Sequence, residues 1–128
     1  MSDPRDNSVR CRNCQRVTDY RRYHAGLSDL GFMYCDHDAT VVTWSSFDPT
    51  YRSLVHEKHP WMLDPEERTV VEESIIDCPC GGRFTFSALP RCPSCLTEIP
   101  DAAEVGYVAI LNGRIDGETQ SVWKIGAR

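Results

Sequence analysis

The chain has 128 residues, 26% of them charged and 41% apolar, the balance of an ordinary globular domain, so disorder is excluded as the default and one modest core is available. No stretch approaches the roughly 18 to 20 apolar residues of a membrane span, and Met1 to Val9 lacks the apolar run of a secretory signal, so a soluble cytoplasmic protein is expected. A formal net charge of −5 opposes general affinity for phosphate backbones.

Taken from the N-terminus, the first feature is Cys11-Arg12-Asn13-Cys14, a C-x-x-C pair. Two cysteines at this spacing in a tight knuckle can aim both sulfurs at one metal ion. Around it Arg5, Arg10, Arg12, Arg16, Arg21 and Arg22 outnumber Asp3, Asp6 and Asp19, and Tyr20 and Tyr23 stand within reach of the same segment. A basic stretch with interleaved aromatics can hold nucleic acid, through Tyr20, Arg21, Arg22 and Tyr23; a solvated arginine-rich face around a knuckle is the plainer account and is preferred.

Cys35-Asp36-His37-Asp38 follows. Cys11, Cys14 and Cys35 make three ligands, and structural zinc takes four. His37 is the first choice for the fourth, because imidazole is a normal zinc ligand. Asp38 is the rival, standing where the second cysteine of a C-x-x-C pair would lie, and His24 is the third candidate.

Val41 to Trp44 reads as a short strand. Asp48-Pro49 then signals a helix start, with Tyr51, Leu54 and Val55 on one face and Pro60 at its end. Asp64-Pro65-Glu66-Glu67 repeats the signal with a capping-box arrangement, followed by an apolar stripe of Val70, Val71, Ile75 and Ile76 opposite Glu66, Glu72 and Glu73. Trp61 lies in the turn between the two helices. His56-Glu57-Lys58-His59 is one residue short of the H-E-x-x-H spacing that puts two imidazoles one helical turn apart, so it is read as a polar helix end.

The densest segment runs from Cys78-Pro79-Cys80-Gly81-Gly82 through Phe84 and Phe86 to Cys92-Pro93-Ser94-Cys95. Two cysteine pairs flank a stretch in which Phe84 and Phe86 alternate with Arg83, Thr85 and Ser87, the period of a strand with one apolar face. This segment resembles a zinc ribbon, a resemblance to zinc-ribbon-like small metal-binding proteins carried by these eighteen residues. It implies one zinc held by Cys78, Cys80, Cys92 and Cys95. Beyond it, Val105 to Leu111 and Thr119 to Ile125 read as the two strands of a β-hairpin, with Asn112-Gly113 and Asp116-Gly117 as turn signals and Tyr107 and Trp123 as packing residues.

Seven cysteines cannot all pair as disulfides, and C-P-C cannot close a relaxed ring on itself, so a metal framework is favoured over a disulfide scaffold. Sequential sites, Cys11, Cys14, Cys35 and His37 for one and Cys78, Cys80, Cys92 and Cys95 for the other, are expected over an interleaved arrangement of first pair with third and second with fourth. Two zinc ions are expected, because a mixed cysteine and histidine or aspartate set is unusual for iron.

The fold class expected is α+β: a small zinc-stabilised fold with short antiparallel sheets, namely the ribbon and the C-terminal hairpin, and two short central helices. Residues 1–43 form an N-terminal zinc module, 44–76 a helical middle, and 77–128 the ribbon and hairpin, packed as one body. No nucleophile elbow or phosphate-binding loop is present and each cysteine is spoken for by metal, so the chain is not expected to be an enzyme. Closed metal sites and a basic N-terminal quarter against an acidic remainder point to a protein-interaction module, an adaptor, assembly subunit or inhibitor with a protein partner. The alternative is a nucleic-acid-binding zinc-ribbon protein using the arginine-rich N-terminal module.

Overall fold

The computed structural model describes residues 6–23, 30–55, 62–100, 108–110, 113–117 and 119–124; within these, the side chains of residues 6–9, 18–23, 30 and 108–110 lie outside the description. In chain order come β1 (Asp6–Arg10), β2 (Val17–Tyr23), β3 (Leu30–Cys35), β4 (Thr40–Ser45), α1 (Pro49–Val55), α2 (Pro65–Ser74), β5 (Phe84–Thr85), β6 (Val108–Ile110) and β7 (Gly113–Asp116). The α+β class is observed. Two sheets carry it, one of three strands ordered β1-β2-β6 and one of four ordered β5-β3-β4-β7.

The second sheet is mixed: β3 runs antiparallel to β4 and β5, while β4 and β7 are parallel. This corrects the expectation of purely antiparallel sheets. The C-terminal hairpin is also corrected: β6, inside the expected strand Val105 to Leu111, pairs with β2; the described residues of the expected strand Thr119 to Ile125 form only a bridge at Trp123; and β7, where the turn was expected, pairs with β4 in the other sheet. The Asp116-Gly117 signal does mark a turn, with Thr119 N–H and Gln120 N–H both donating to Asp116 O at 3.1 Å. Gly117 N–H, however, donates to Thr43 O at 2.9 Å, fastening the turn to β4. Trp123 makes an isolated antiparallel bridge with Ile75. Tyr107 and Trp61 lie outside the described residues.

Both helices start where their caps lie. Asp48 Oδ1 accepts from Thr50 N–H at 2.9 Å and Tyr51 N–H at 3.1 Å, satisfying donors that the first turn of α1 leaves open. At α2, Asp64 Oδ1 accepts from Glu67 N–H at 2.9 Å and Glu67 Oε1 accepts from Asp64 N–H at 3.1 Å, a completed capping box with Pro65 at the first position. The helix stops at Ser74 and Ile75 turns extended, so the expected stripe divides. Val71 and Ile75 are buried, whereas Val70 faces water. Pro60 lies outside the described residues.

Trp44 is at the centre of the core. Its ring meets Trp123 and Phe86 edge-on and Tyr51 at a tilt, with centroids 5.6, 6.1 and 5.9 Å away. Met33, Val42, Val55, Leu63, Val71, Ile75, Phe84 and Val122 complete the cluster, which also takes in Cys35 and Cys78. Gly31 pairs with Trp44 across β3 and β4, and a Cβ at Gly31 would lie 2.3 Å from the indole. The absent side chain is what lets the ring lie over the strand. No helix among the described residues is long and apolar enough to cross a membrane.

Candidate metal centres

Three hairpin turns position most of the candidate ligands, and they share one register. Cys11 to Cys14 form the turn between β1 and β2, where Arg10 pairs with Val17. Cys35 to Asp38 form the turn between β3 and β4, where Tyr34 pairs with Val41. Cys92 to Cys95 form the turn of a third, minimal hairpin, where Arg91 bridges Glu98. In each, the residue before the first ligand faces the residue seven positions on, which folds the chain so that positions one and four of the turn point to the same side.

The first and third turns match bond for bond. Cys11 N–H donates to Arg16 O at 2.9 Å and Gln15 N–H to Cys11 O at 3.0 Å; Cys92 N–H donates to Thr97 O at 2.9 Å and Leu96 N–H to Cys92 O at 2.8 Å. Gln15 and Leu96 both sit in the left-handed region, at φ 64° and 65°. Arg10 Nη1 donates to Gln15 O at 3.0 Å and Arg91 Nη1 to Leu96 O at 2.9 Å, so an arginine clamps the same carbonyl in both. The pair Cys78 and Cys80 forms a shortened version: Cys78 N–H donates to Gly82 O at 3.0 Å and Gly81 N–H to Cys78 O at 2.9 Å, with Gly81 taking the left-handed position at φ 96°.

These turns assemble into two groups. Cys11, Cys14, Cys92 and Cys95 form one, and Cys35, Asp38, Cys78 and Cys80 the other, with the ligand atoms of each group within 4.8 Å of one another. The first pair thus joins the fourth and the second joins the third, a nested arrangement that differs from both the sequential and the interleaved groupings. We call the two groups the outer and inner centres. Sequential grouping fails for a definite reason. Phe84 pairs with Cys35 and Thr85 with Tyr34, so β5 lines up on β3 and delivers Cys78 and Cys80 to the Cys35 turn, away from Cys92 and Cys95. The ribbon expected over Cys78 to Cys95 is therefore not closed as one four-thiolate module.

His37 stands outside both groups. Its exposed side chain lies on the surface, and its contribution is a backbone N–H donated to Cys35 Sγ at 3.3 Å. Asp38 takes the place expected for His37, because position four of the turn is the one that faces back toward position one. His24 and the run His56 to His59 lie outside the described residues, as do the side chains of Tyr20, Arg21, Arg22 and Tyr23. The repeated R-C-x-x-C of residues 10–14 and 91–95 is the sequence signal that pairs the outer turns.

The dimensions suit a tetrahedral ion. A metal–sulfur bond of about 2.3 Å gives a tetrahedral sulfur–sulfur edge of about 3.8 Å. In the outer centre Cys11 Sγ and Cys95 Sγ are 3.5 Å apart and Cys14 Sγ and Cys92 Sγ 3.8 Å. In the inner centre Cys35 Sγ and Cys80 Sγ are 3.5 Å apart. Cys78 Sγ lies 3.6 and 3.7 Å from the two carboxylate oxygens of Asp38, against about 3.5 Å expected for a sulfur–oxygen edge. Backbone amides point at the sulfurs: Asp38 N–H donates to Cys35 Sγ at 3.4 Å, Gly82 N–H to Cys80 Sγ at 3.3 Å and Ser94 N–H to Cys92 Sγ at 3.4 Å. All seven cysteines are free thiols and all belong to the two groups.

Crowding sets the protonation of the metal-free groups. At Cys14 the Arg16 amide favours the thiolate, but lost hydration and the neighbouring Cys95, Cys11 and Cys92 sulfurs outweigh it and push the thiol up to about 11. The hydroxyl and amide of Thr97 hold Cys95 down at about 5. Burial raises Cys35 and Cys78 above the ordinary thiol value. Asp38 loses hydration, yet hydrogen bonds from Thr40 more than compensate and keep its carboxyl below the usual range.

The fold and its two groups define a small α+β protein with two cysteine-rich clusters able to hold metal ions. The chain belongs to the family described as a domain of unknown function, DUF8255, which matches residues 7–100, the span that contains all eight clustered residues. No curated protein and no solved structure matches the chain.

Proposed function

We propose that this is a small protein-interaction module whose shape is set by two structural zinc ions. The observation that carries the reading is that every cysteine is drawn into one of two four-ligand groups with tetrahedral dimensions. Zinc suits a set of sulfur donors with one carboxylate, and a four-ligand protein site leaves no position for catalytic water. The interaction role is supported by the exposed apolar side chains of Phe47, Met62 and Val70, 66%, 57% and 40% accessible, and by the acidic first turn of α2 at Glu66 and Glu67. Native mass spectrometry of protein purified without a metal-affinity tag is expected to show two zinc ions per chain and a copurified protein partner. Absence of stoichiometric metal would end the zinc reading, and repeated recovery of the bare two-zinc chain under low-salt conditions would end the interaction reading.

A second reading, nucleic-acid binding, is favoured by one feature: Arg10, Arg12 and Arg16 are all exposed around the first turn, at the tip of the β1–β2 hairpin. Salt-dependent retention on immobilised nucleic acid, lost when Arg12 and Arg16 are replaced by Ala, would move this reading ahead of the first.

A further inference from the structure

We infer that the inner centre is a substitutable metal site, at which the Asp38 carboxylate yields its place on the ion to a small external thiolate. The inference rests on the zinc reading above. It starts from the donor set. The outer centre offers four sulfurs, whereas the inner offers three sulfurs and one carboxylate oxygen. For a borderline-soft ion beside three thiolates, an external sulfur is a better fourth donor than an oxygen.

Access lies on the same side as the weak ligand. Cys35 and Cys78 are buried, Asp38 is half-buried and Cys80 is exposed, so the Asp38–Cys80 edge of the centre meets water. The two glycines that follow Cys80 differ in their surroundings. A Cβ at Gly82 would come within 2.9 Å of Asp36 Oδ1, Cys35 Sγ and His37 Cβ, while a Cβ at Gly81 would meet nothing within 4 Å.

The remaining three ligands hold without Asp38. Cys35 and Cys78 are part of the hydrophobic core, and Cys35 and Cys80 are each fixed by backbone amides. The displaced carboxylate has a place to rest, because Asp38 Oδ1 already accepts from Thr40 N–H at 2.9 Å. In the exchange one metal–oxygen bond breaks and one metal–sulfur bond forms. The incoming thiol gives its proton to the buffer, and no electrons are transferred.

The test uses the full chain carrying two cobalt(II) ions, kept anaerobic and titrated with 2-mercaptoethanol. A saturable gain of sulfur-to-cobalt charge-transfer absorption is expected, amounting to one added thiolate per chain, with both ions retained. Asp38→Cys supplies the fourth sulfur internally and is expected to abolish the response. Asp38→Ala removes the competitor and is expected to tighten thiol binding by roughly tenfold or more, since even outer-shell changes shift metal-site affinities by about that much. An unchanged spectrum in a protein that keeps both ions overturns the inference and leaves the zinc reading intact, as does a response in Asp38→Cys equal to that of the parent. Loss of the ion on thiol addition also overturns it. If Asp38→Cys fails to fold, native mass spectrometry of the parent decides: a two-metal chain with one bound thiol supports the inference, and a two-metal chain without it does not. A native protein lacking stoichiometric metal would instead overturn the zinc reading itself.

Discussion

Asp38 and His37 are neighbours with opposite fates. The turn that begins at Cys35 has the register of the Cys11 and Cys92 turns, so its fourth position faces the first and its third points away. Replacing His37 by Ala is therefore expected to leave two bound ions, and replacing Asp38 by Ala to weaken one of them, as read by metal content after competition with a chelator. Tyr51 shows a different kind of residue effect. Burial, reinforced by the Glu67 carboxylate, pushes its phenol up from 10.0 to about 12. A group that holds its proton more tightly in the folded state contributes stability that is complete below its unfolded value and disappears as pH rises through the folded one. Between pH 10 and 12 the chain is expected to lose stability on this account, by at most about 2 kcal/mol. Urea unfolding midpoints measured across that window should fall for the parent and stay flatter for Tyr51→Phe.

At the scale of elements, three hairpins are shaped by their ligand turns, and the helices by their caps. Gln15 and Leu96 accept left-handed backbone, which costs a non-glycine residue about 1 kcal/mol or more, because the turn carbonyl they present is held by Arg10 and Arg91. The reciprocal bonds between Asp64 and Glu67 make α2 the better-capped helix. Asp64→Ala is expected to cost about 1 kcal/mol, measured by chemical unfolding of the metal-loaded protein. The same loss should not appear on mutating Glu66, which has no part in the capping box.

For the whole molecule, the nested centres tie distant parts of the chain together. The outer centre joins the β1–β2 turn to a segment beyond residue 90, and the inner joins β3 to the approach to β5. Metal loading requires thiolates, and Cys14, Cys35 and Cys78 hold their protons at neutral pH in the metal-free fold because their values are raised. Binding must then release protons, so the apparent metal affinity falls as pH falls. Acidification from neutral pH in the presence of a metal indicator is expected to release both ions and reduce near-ultraviolet circular dichroism from the Trp44–Trp123 cluster, with the two signals moving together for the inner centre, whose Cys35 and Cys78 pack in that core.

The cysteines, both helix starts and the strand around Val41 to Trp44 were legible from local chemistry alone. Spacing in a turn, a capping carboxylate before proline and a β-branched run act over a few residues and need no distant partner. Which pair meets which was not local. It depended on β5 aligning with β3 and on the third hairpin matching the first, and loop length alone separates such groupings only weakly. The C-terminal pairing was missed for the same reason: β6 does lie within the expected strand Val105 to Leu111, but it and β7, placed where a turn was expected, joined the edges of two existing sheets, where β2 and β4 had open hydrogen-bonding groups to satisfy. The residues themselves determined that this chain gathers sulfur ligands in tight turns; only the packed sheets decided which turns face one another and that Asp38, at the fourth position, completes the inner set.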